Sequence, residues 1–256
     1  MRIRHGLFFA FLLLSSKSLP AQVRYGTIEY IKTTEREIEL EGMEENRELK
    51  KMMAKMAASG AFTEKYKATF TPDGFTFIRQ ERPVSSITSE MGGGNSITIE
   101  TGGEDPTHHY TNTTNGVVTN TDFILDRTFL IEGTEKPLVW TETGETVAPD
   151  DGTMGLELRL ATAVTPAGVT ITAGYAPSLP IQVGPLNYYG LPGAIITLRI
   201  PQEKKTLLYR AIGMAVSNEP LPLVIPTEGK KIKLESFRKE RAKRLKMSKR
   251  TYNGNG

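Results

Sequence analysis

The residues best suited to metal binding or general base catalysis are two adjacent histidines, His108 and His109. A zinc site built on them would also need carboxylates, and Glu104 and Asp105 are the nearest. Neighbouring residues of a strand point to opposite sides, which is poor geometry for holding one metal ion. We therefore interpret the pair as residues of a solvated loop, and the sequence predicts no metal site and no cofactor.

Carboxylate pairs are a second possible source of chemistry, at Glu142 with Glu145 and at Asp150 with Asp151. Such pairs could share a proton or bind calcium, but general acid–base catalysis requires burial that a loop rarely supplies. Asp151-Gly152 is also an ordinary turn signal, which favours a turn at this point. No cysteine is present, and the G-x-S-x-G, H-E-x-x-H, P-loop and G-x-G-x-x-G patterns are absent. These observations favour a protein that is not an enzyme and predict no catalytic residue.

Methionines form a cluster whose spacing predicts a helix over residues 46–59. Leu49, Met52, Met53 and Met56 fall at positions i, i+3, i+4 and i+7. Thioethers are soft ligands suited to monovalent copper, but methionines at helical spacing are more typical of an adaptable packing face. An intermediate interpretation has Met52, Met53 and Met56 covering a groove that admits an apolar ligand.

The elements that must position these residues are mainly strands. The clearest hairpin has alternating arms at 66–70 and 75–79 around Pro72-Asp73-Gly74. Further strands are predicted at 25–40, 122–126, 128–132, 138–141, 155–161, 169–175, 194–200 and 206–215. Residues 84–116 are rich in Ser, Thr, Gly and Asn, which predicts a long polar loop with one weak strand at 96–100. The predicted fold is mainly β, a curved antiparallel sheet or half-barrel with a Met-rich covering helix and a basic C-terminal helix.

The N-terminus has the pattern of a secretory signal peptide. Arg2 and Arg4 precede an apolar run over residues 7–14, and small residues lead to Ala21. The run is too short for a membrane span, which needs about 20 apolar residues. We expect cleavage after Ala21 and export to the periplasm or the extracellular side, with no transmembrane segment.

Charge is distributed unevenly along the chain. Residues 22–228 contain 18 Lys and Arg against 27 Asp and Glu, whereas residues 229–256 contain eleven against two. The body is therefore acidic and the tail strongly basic. We do not read the basic overall charge as a sign of nucleic-acid binding. The tail has a rough apolar stripe that includes Phe237 and Leu245, and it could dock on the acidic body, dock on anionic envelope lipid, or stay solvated. We favour docking on the body.

The most informative stretch lies between residues 174 and 195. Leu191-Pro192-Gly193-Ala194 is a type II turn sequence, in which Pro192 presets the second position and Gly193 takes a positive φ in the third. The strand that follows alternates apolar and polar residues over 196–200. A structural corner that joins two strands is the simplest interpretation. The stretch is nevertheless longer than such a corner requires.

This stretch resembles the GLPGLI family, whose motif stands here as Gly190-Leu191-Pro192-Gly193-Ala194-Ile195. Ala194 replaces the usual leucine, and the family's cysteine-containing strand is here the cysteine-free 158–161. The resemblance implies an uncharacterised envelope protein of Gram-negative bacteria, with a GLPGLI-like domain over 22–228 between the signal peptide, 1–21, and the basic tail, 229–256. The motif and candidate binding residues are Tyr175, Pro180, Gly184, Pro185, Gly190, Leu191, Pro192 and Gly193.

Three functions are compatible with these patterns. The leading hypothesis is a non-enzymatic envelope module that binds an apolar ligand or a partner segment, and a closed, dry cavity would favour it. The second is a structural or secretion-associated partner without a ligand, which a filled core would favour. The third is a hydrolytic enzyme, which would need a pocket where Asp150, Asp151 or His109 converge with shifted pKa values.

Overall fold

A computed structural model describes residues 23–36, 63–80, 82–91, 95–103, 107–124, 127–203 and 205–253. Within these ranges the chain forms fourteen strands, one 3₁₀ helix (Asp151–Thr153) and one α-helix, α1 (Leu234–Asn253). The strands are β1 (Tyr25–Arg36), β2 (Glu64–Thr71), β3 (Gly74–Arg79), β4 (Arg82–Met91), β5 (Asn95–Gly103), β6 (His108–Asn112), β7 (Val117–Ile124), β8 (Arg127–Thr134), β9 (Thr141–Val147), β10 (Leu158–Val164), β11 (Thr170–Ala176), β12 (Ala194–Gln202), β13 (Lys205–Ser217) and β14 (Lys230–Lys233).

Twelve strands form one open, curved sheet in the order β14-β8-β7-β6-β3-β2-β1-β13-β12-β11-β10-β9. Neighbours are antiparallel except β14, which pairs in parallel with β8, and β4 and β5 form a separate hairpin. The prediction of a mainly β, antiparallel fold with a basic C-terminal helix is therefore confirmed. The predicted signal peptide and the Met-rich helix, with Met52, Met53 and Met56, lie outside the described residues.

The predicted hairpin is confirmed by the pairing of β2 with β3. Phe70 lies opposite Phe75, and Thr71 lies opposite Gly74. Along β2 the side chains alternate, with Tyr66, Ala68 and Phe70 buried and Lys65 and Lys67 exposed. Two-residue periodicity thus sends the aromatic rings of this hairpin to one face of the sheet.

Aromatic side chains form the middle of the core. The ring of Phe77 stacks on Tyr66 at a centroid distance of 4.8 Å and meets Tyr209 edge-on at 5.9 Å. The Tyr30 hydroxyl, which is fully buried, donates a hydrogen bond to the carbonyl of Ile195 (2.8 Å). This bond satisfies the one polar atom of a buried ring and joins β1 to the start of β12.

Two sequence predictions about strands are wrong. Residues 84–116 do not form a long loop but contribute β4, β5 and β6, although the weak strand predicted at 96–100 is confirmed as part of β5. The composition misled because threonine is β-branched and fits a strand as well as many apolar residues do. Residues 138–140 do not form a strand with Thr141, since β9 begins at Thr141 and Trp140 precedes it in an irregular segment.

Candidate functional site

The connection between β11 and β12, residues 177–193, is here called the motif segment. Its side chains Leu179, Ile181, Val183 and Leu191 are buried in the main core. The backbone N–H groups of Ala194 and Ile195 donate to the carbonyls of Leu179 and Val183 (both 2.9 Å). The motif segment therefore folds back over the beginning of β12 and fills the face of the sheet that it covers.

Gly193 is required for a different reason from the one predicted. Its φ is not positive, so the predicted type II turn geometry is wrong. A Cβ atom added to Gly193 would lie 2.1 Å from the carbonyl oxygen of Ala176, at the end of β11. The glycine is needed because two backbone segments approach too closely for any side chain. The sequence could predict that Gly193 lies in a tight corner, but it could not predict the contact with the Ala176 carbonyl.

The positive φ in the motif belongs instead to Gly190, at 99°. Its backbone N–H donates to Oε1 of Gln182 (3.0 Å), whose Nε2 donates to the carbonyl of Leu191 (2.8 Å). The indole N–H of Trp140 donates to the carbonyl of Tyr189 (2.9 Å). Gln182 and Trp140 thus satisfy backbone groups that the irregular path of the motif segment leaves without strand partners.

Asn187 joins the motif segment to the sheet through its side-chain amide. Its Nδ2 donates to Thr111 Oγ1 (2.7 Å) and to Asn120 Oδ1 (3.1 Å). Its Oδ1 accepts from Asn120 Nδ2 (2.9 Å) and from His109 Nδ1 (2.6 Å). We call Asn187, Asn120, Thr111 and His109 the amide cluster. Sequence reasoning missed it, because the partners are about 70 residues away and asparagine is common in turns.

Leu186, next to Asn187, has a left-handed backbone with φ of 59°. A non-glycine residue in this conformation is uncommon and costs of order 1 kcal/mol, and such residues gather at binding sites. Leu186 is half-buried and packs against the main core. The surrounding contacts therefore hold a strained residue at the point where the amide cluster is attached.

Both histidines lie on β6, so the prediction of a solvated loop is wrong. They do point to opposite sides, as the spacing predicts, since His108 Nε2 donates to the carbonyl of Val224 (2.5 Å) and His109 binds Asn187. Burial lowers the pKa of His108, and its bond to the Val224 carbonyl partly opposes that shift. Among the described residues, no group of three His, Asp or Glu side chains could hold a metal ion.

One member of each acidic pair, Asp150 and Glu142, has a structural partner. Asp150 caps the 3₁₀ helix, because its carboxylate accepts from the backbone N–H of Thr153 (2.8 Å) while Thr153 Oγ1 accepts from the N–H of Asp150 (2.9 Å). This confirms a turn at Asp150 and Asp151. Glu142 accepts a hydrogen bond from the hydroxyl of Tyr175. Burial raises the pKa of Tyr175, and the neighbouring Glu142 raises it further.

A cleft of about 590 Å³ lies between α1, the motif segment and the turn that joins β10 to β11. We call it the helix cleft. Its walls are mostly apolar, and its polar groups include His109, Asn120 and Asn187 of the amide cluster, Lys136, and the paired charges near α1. The main apolar lining residues are Ile131, Leu138, Val169, Leu186, Tyr188 and Phe237.

Helix α1 forms one wall of this cleft and is held against the sheet by both apolar and ionic contacts. Phe237 is 4% exposed, and its ring meets that of Phe129 edge-on at 5.8 Å. Arg238 pairs with Glu135, and Arg241 with Asp122 (3.4 Å). These contacts are those expected if the start of the basic tail docks on the acidic body.

A second cleft, of about 1010 Å³, lies beside His108 and the segment 224–229. Phe123, which is half exposed, contributes to its lining with Val224 and Ile225. None of the eight predicted binding residues lines either cleft. They belong to β11 and the motif segment, whereas Leu186, Asn187, Tyr188 and Tyr189, between Pro185 and Gly190, line the helix cleft.

Comparison with known protein families gives a match that includes the motif segment. A family model described as "Protein of unknown function (Porph_ging)" matches residues 129–197, which include the whole motif segment. The match is consistent with an uncharacterised bacterial family and does not carry the name GLPGLI. No curated protein matches the chain.

Among solved structures, the chain is similar to one described as "Structure of PNGF-II in P21 space group". The TM-score is 0.49 at 10% sequence identity, and the match covers 84% of this chain and 32% of that chain. The chain therefore spans about a third of the length of that solved chain. Within the described residues, no helix is long and apolar enough to cross a membrane.

Proposed function

We propose that the protein is an exported, non-enzymatic binding module that holds an apolar ligand in the helix cleft. The observation that carries this proposal is a mostly apolar cleft of about 590 Å³ with hydrogen-bonding side chains grouped in the amide cluster. Ligand sites are typically concave, about 300–1,000 Å³ in volume, and mostly apolar with a few well-placed polar groups. The ligand class that fits is an apolar chain carrying one polar end.

The groups around the helix cleft favour binding over hydrolysis. Asp150 and Asp151 do not line it, and Asp150 is occupied as a helix cap. His109 does line the cleft, but its Nδ1 donates to Asn187. Four of the five charged residues that line the cleft form two ion pairs, Arg238 with Glu135 and Arg241 with Asp122, and Lys136 is the fifth. Such an arrangement positions a helix and a ligand more readily than it activates a nucleophile.

Export is the second part of the proposal and is supported by the N-terminal sequence. Two arginines, a short apolar run and a small residue before the expected cleavage point form the pattern that directs a chain to secretion. Mature protein should begin at Gln22, so intact-mass analysis of protein from its own envelope tests this part alone. Retention of residues 1–21 would contradict it.

A purely structural role is the second candidate, and one observation favours it. The motif segment buries Leu179, Ile181, Val183 and Leu191 in the core, so the face it covers is filled by the chain itself. In that case the Gly-Leu-Pro-Gly corner serves to close the sheet, and the helix cleft has no ligand. The two candidates differ in whether the helix cleft is occupied in the cell.

The test uses a substitution that fills the helix cleft. Ala167 lies in the turn between β10 and β11, is exposed, and lines the cleft. Ala167→Trp should reduce the affinity for a dansyl-labelled long-chain fatty acid at least tenfold by occupying the apolar space. Ala215→Trp is the matched control, since Ala215 is also exposed but lies on β13 away from the cleft.

Native mass spectrometry of protein from its own envelope provides an independent measurement. A bound apolar molecule that is absent from Ala167→Trp would support the proposal. No binding of the fatty acid by the wild-type protein, together with a ligand-free native mass, would favour the structural role. Equal loss in Ala167→Trp and Ala215→Trp would place the binding outside the helix cleft and contradict the proposal.

A further inference from the structure

Over residues 234–243, where the side chains of α1 are described, four residues that contact the body lie on one side of the helix. Leu234 and Phe237 pack on the sheet, and Arg238 and Arg241 pair with acidic residues of the body. Lys239 and Lys243 are exposed. With 3.6 residues per turn, they lie on the side opposite Phe237 and Arg241. Beyond them the sequence continues basic, with Arg244, Lys246, Lys249 and Arg250.

From this placement we infer that the outward stripe of α1 binds the surface of an anionic lipid bilayer. Between residues 241 and 253 the sequence has six Lys and Arg and no Asp or Glu. The structure describes the side chains of two of these six, Arg241, which pairs with Asp122, and Lys243, which is exposed. The acidic residues of α1, Glu235 and Glu240, lie in its first two turns. Six cations in thirteen residues, with Glu240 the nearest acidic residue in the chain, form the charge pattern that anionic lipid head groups attract.

The composition of the stripe favours a lipid surface over a protein partner. Lysine is depleted in protein–protein interfaces, where aromatic residues and arginine are enriched. Leu234 and Phe237, the apolar residues of the first turn of α1, are already buried against β8 and its neighbours. The outward stripe therefore consists of exposed charges, with Lys239 and Lys243 about 6 Å apart along the helix axis from the rise of 1.5 Å per residue. A bilayer can satisfy such a row because its head groups move laterally and need no fixed complementary shape.

The acidic body reinforces this assignment by orienting the molecule. Residues 22–228 carry a net charge of −9, so an anionic surface repels the body and attracts the tail. The protein should therefore approach a membrane with α1 foremost and the exposed lysines closest to the head groups. Lys239 and Lys243 do not line the helix cleft, so membrane binding and ligand binding can be separated by mutation.

The experiment measures binding of the protein, expressed from its full-length gene, to two kinds of vesicle. Vesicles of phosphatidylcholine with phosphatidylglycerol should bind the protein at low salt, and pure phosphatidylcholine vesicles should not. Each lysine near an anionic surface contributes roughly fivefold to the partition coefficient. We expect Lys239→Gln/Lys243→Gln to lower binding about 30-fold. The binding of the wild-type protein should fall steeply as salt rises, since the Debye length shrinks from about 30 Å at 0.01 M to about 3 Å at 1 M.

Lys65→Gln/Lys67→Gln is the matched control, because these lysines are also exposed but lie on β2. It lowers the net charge by the same two units as the α1 variant. We nevertheless expect it to bind the anionic vesicles as well as the wild-type protein does. Circular dichroism of both variants checks that α1 and the sheet are retained. If anionic vesicles do not bind, if neutral vesicles bind equally well, or if the control loses as much binding as the α1 variant, the inference is wrong. Tighter binding to polyglutamate or to duplex DNA than to the anionic vesicles would assign the stripe to another polyanion and also overturn it.

Discussion

The motif segment and α1 are attached to the same sheet by opposite means. The motif segment is held by buried apolar side chains and by uncharged hydrogen bonds such as those of Asn187 and Gln182. Helix α1 is held by a small apolar cluster around Phe237 and by ion pairs whose side chains are partly exposed. Uncharged buried contacts do not depend on ionic strength, whereas exposed ion pairs do. The fixed wall of the helix cleft should therefore be the motif segment, and its adjustable wall should be α1.

The largest effect on this comparison should come from Phe237→Ala. Phe237, in the first turn of α1, is almost fully buried against β8. Truncation of a buried phenylalanine costs about 3–5 kcal/mol in a well-packed core. We expect about 3 kcal/mol here, because the cluster is small, and a loss of helical circular dichroism at a lower temperature than the loss of sheet signal. A single transition that shifts as a whole would show that α1 and the sheet unfold together.

The second effect concerns the backbone contact of Gly193. Gly193→Ala should destabilise the protein by about 2–3 kcal/mol, since the new Cβ would meet the Ala176 carbonyl at 2.1 Å and a backbone atom cannot turn aside. Urea denaturation measures the change. Gly213→Ala is the control, because a Cβ there has no neighbour within 4 Å. Equal stability of the two variants would mean that the corner is looser than its geometry indicates.

Removal of the amide cluster should have a somewhat smaller effect. Asn187→Ala leaves Thr111, Asn120 and His109 without their shared partner, and a buried polar group without a hydrogen bond costs about 1–3 kcal/mol. We expect about 2 kcal/mol, unchanged between low and high salt. The same variant should weaken binding of the dansyl fatty acid, because the amide cluster contributes polar groups to the cleft. Strong salt dependence would show that charges, not amides, hold the motif segment.

The smallest effect should come from the ion pairs of α1. Glu135→Gln and Asp122→Asn each remove one partner of a partly exposed pair, and such pairs contribute about 0–1 kcal/mol. The loss should be measurable at low salt and should vanish near 1 M salt. Glu132→Gln is a control, since its 3.7 Å pair with Lys231 joins β8 to β14 and not to α1. A loss that persists at high salt would indicate a packing role for these side chains.

Much of the fold could be predicted because it depends on neighbours along the chain. The hairpin of β2 and β3 follows from two alternating arms and a Pro-Asp-Gly turn, and α1 follows from the composition of the tail. The strand β4 was not predicted and β5 only as a weak strand at 96–100, because a polar sequence with few apolar residues gives little periodic signal. The location of β6 in the sheet, and with it the partners of both histidines, depends on strands that are distant in sequence.

The candidate site could likewise be predicted only in part. The importance of residues 174–195 was evident from the sequence, but the roles of its residues were not. Gly193 was expected to need a positive φ, and the structure gives that conformation to Gly190 and, without the help of a glycine, to Leu186. Asn187 carries no local signal, and its role appears only when β6 and β7 bring Thr111 and Asn120 beside it.

The sequence by itself determined the mainly β class, the β2–β3 hairpin, the basic helix and the contrast between an acidic body and a basic tail. Each of these depends on periodicity, turn chemistry or charge, which are properties of consecutive residues. Only the tertiary structure decided the path of the motif segment, the close contact at Gly193, the amide cluster and the helix cleft. Those features depend on which distant strands become neighbours, and that choice is made by the burial of the whole aromatic core and by no single segment.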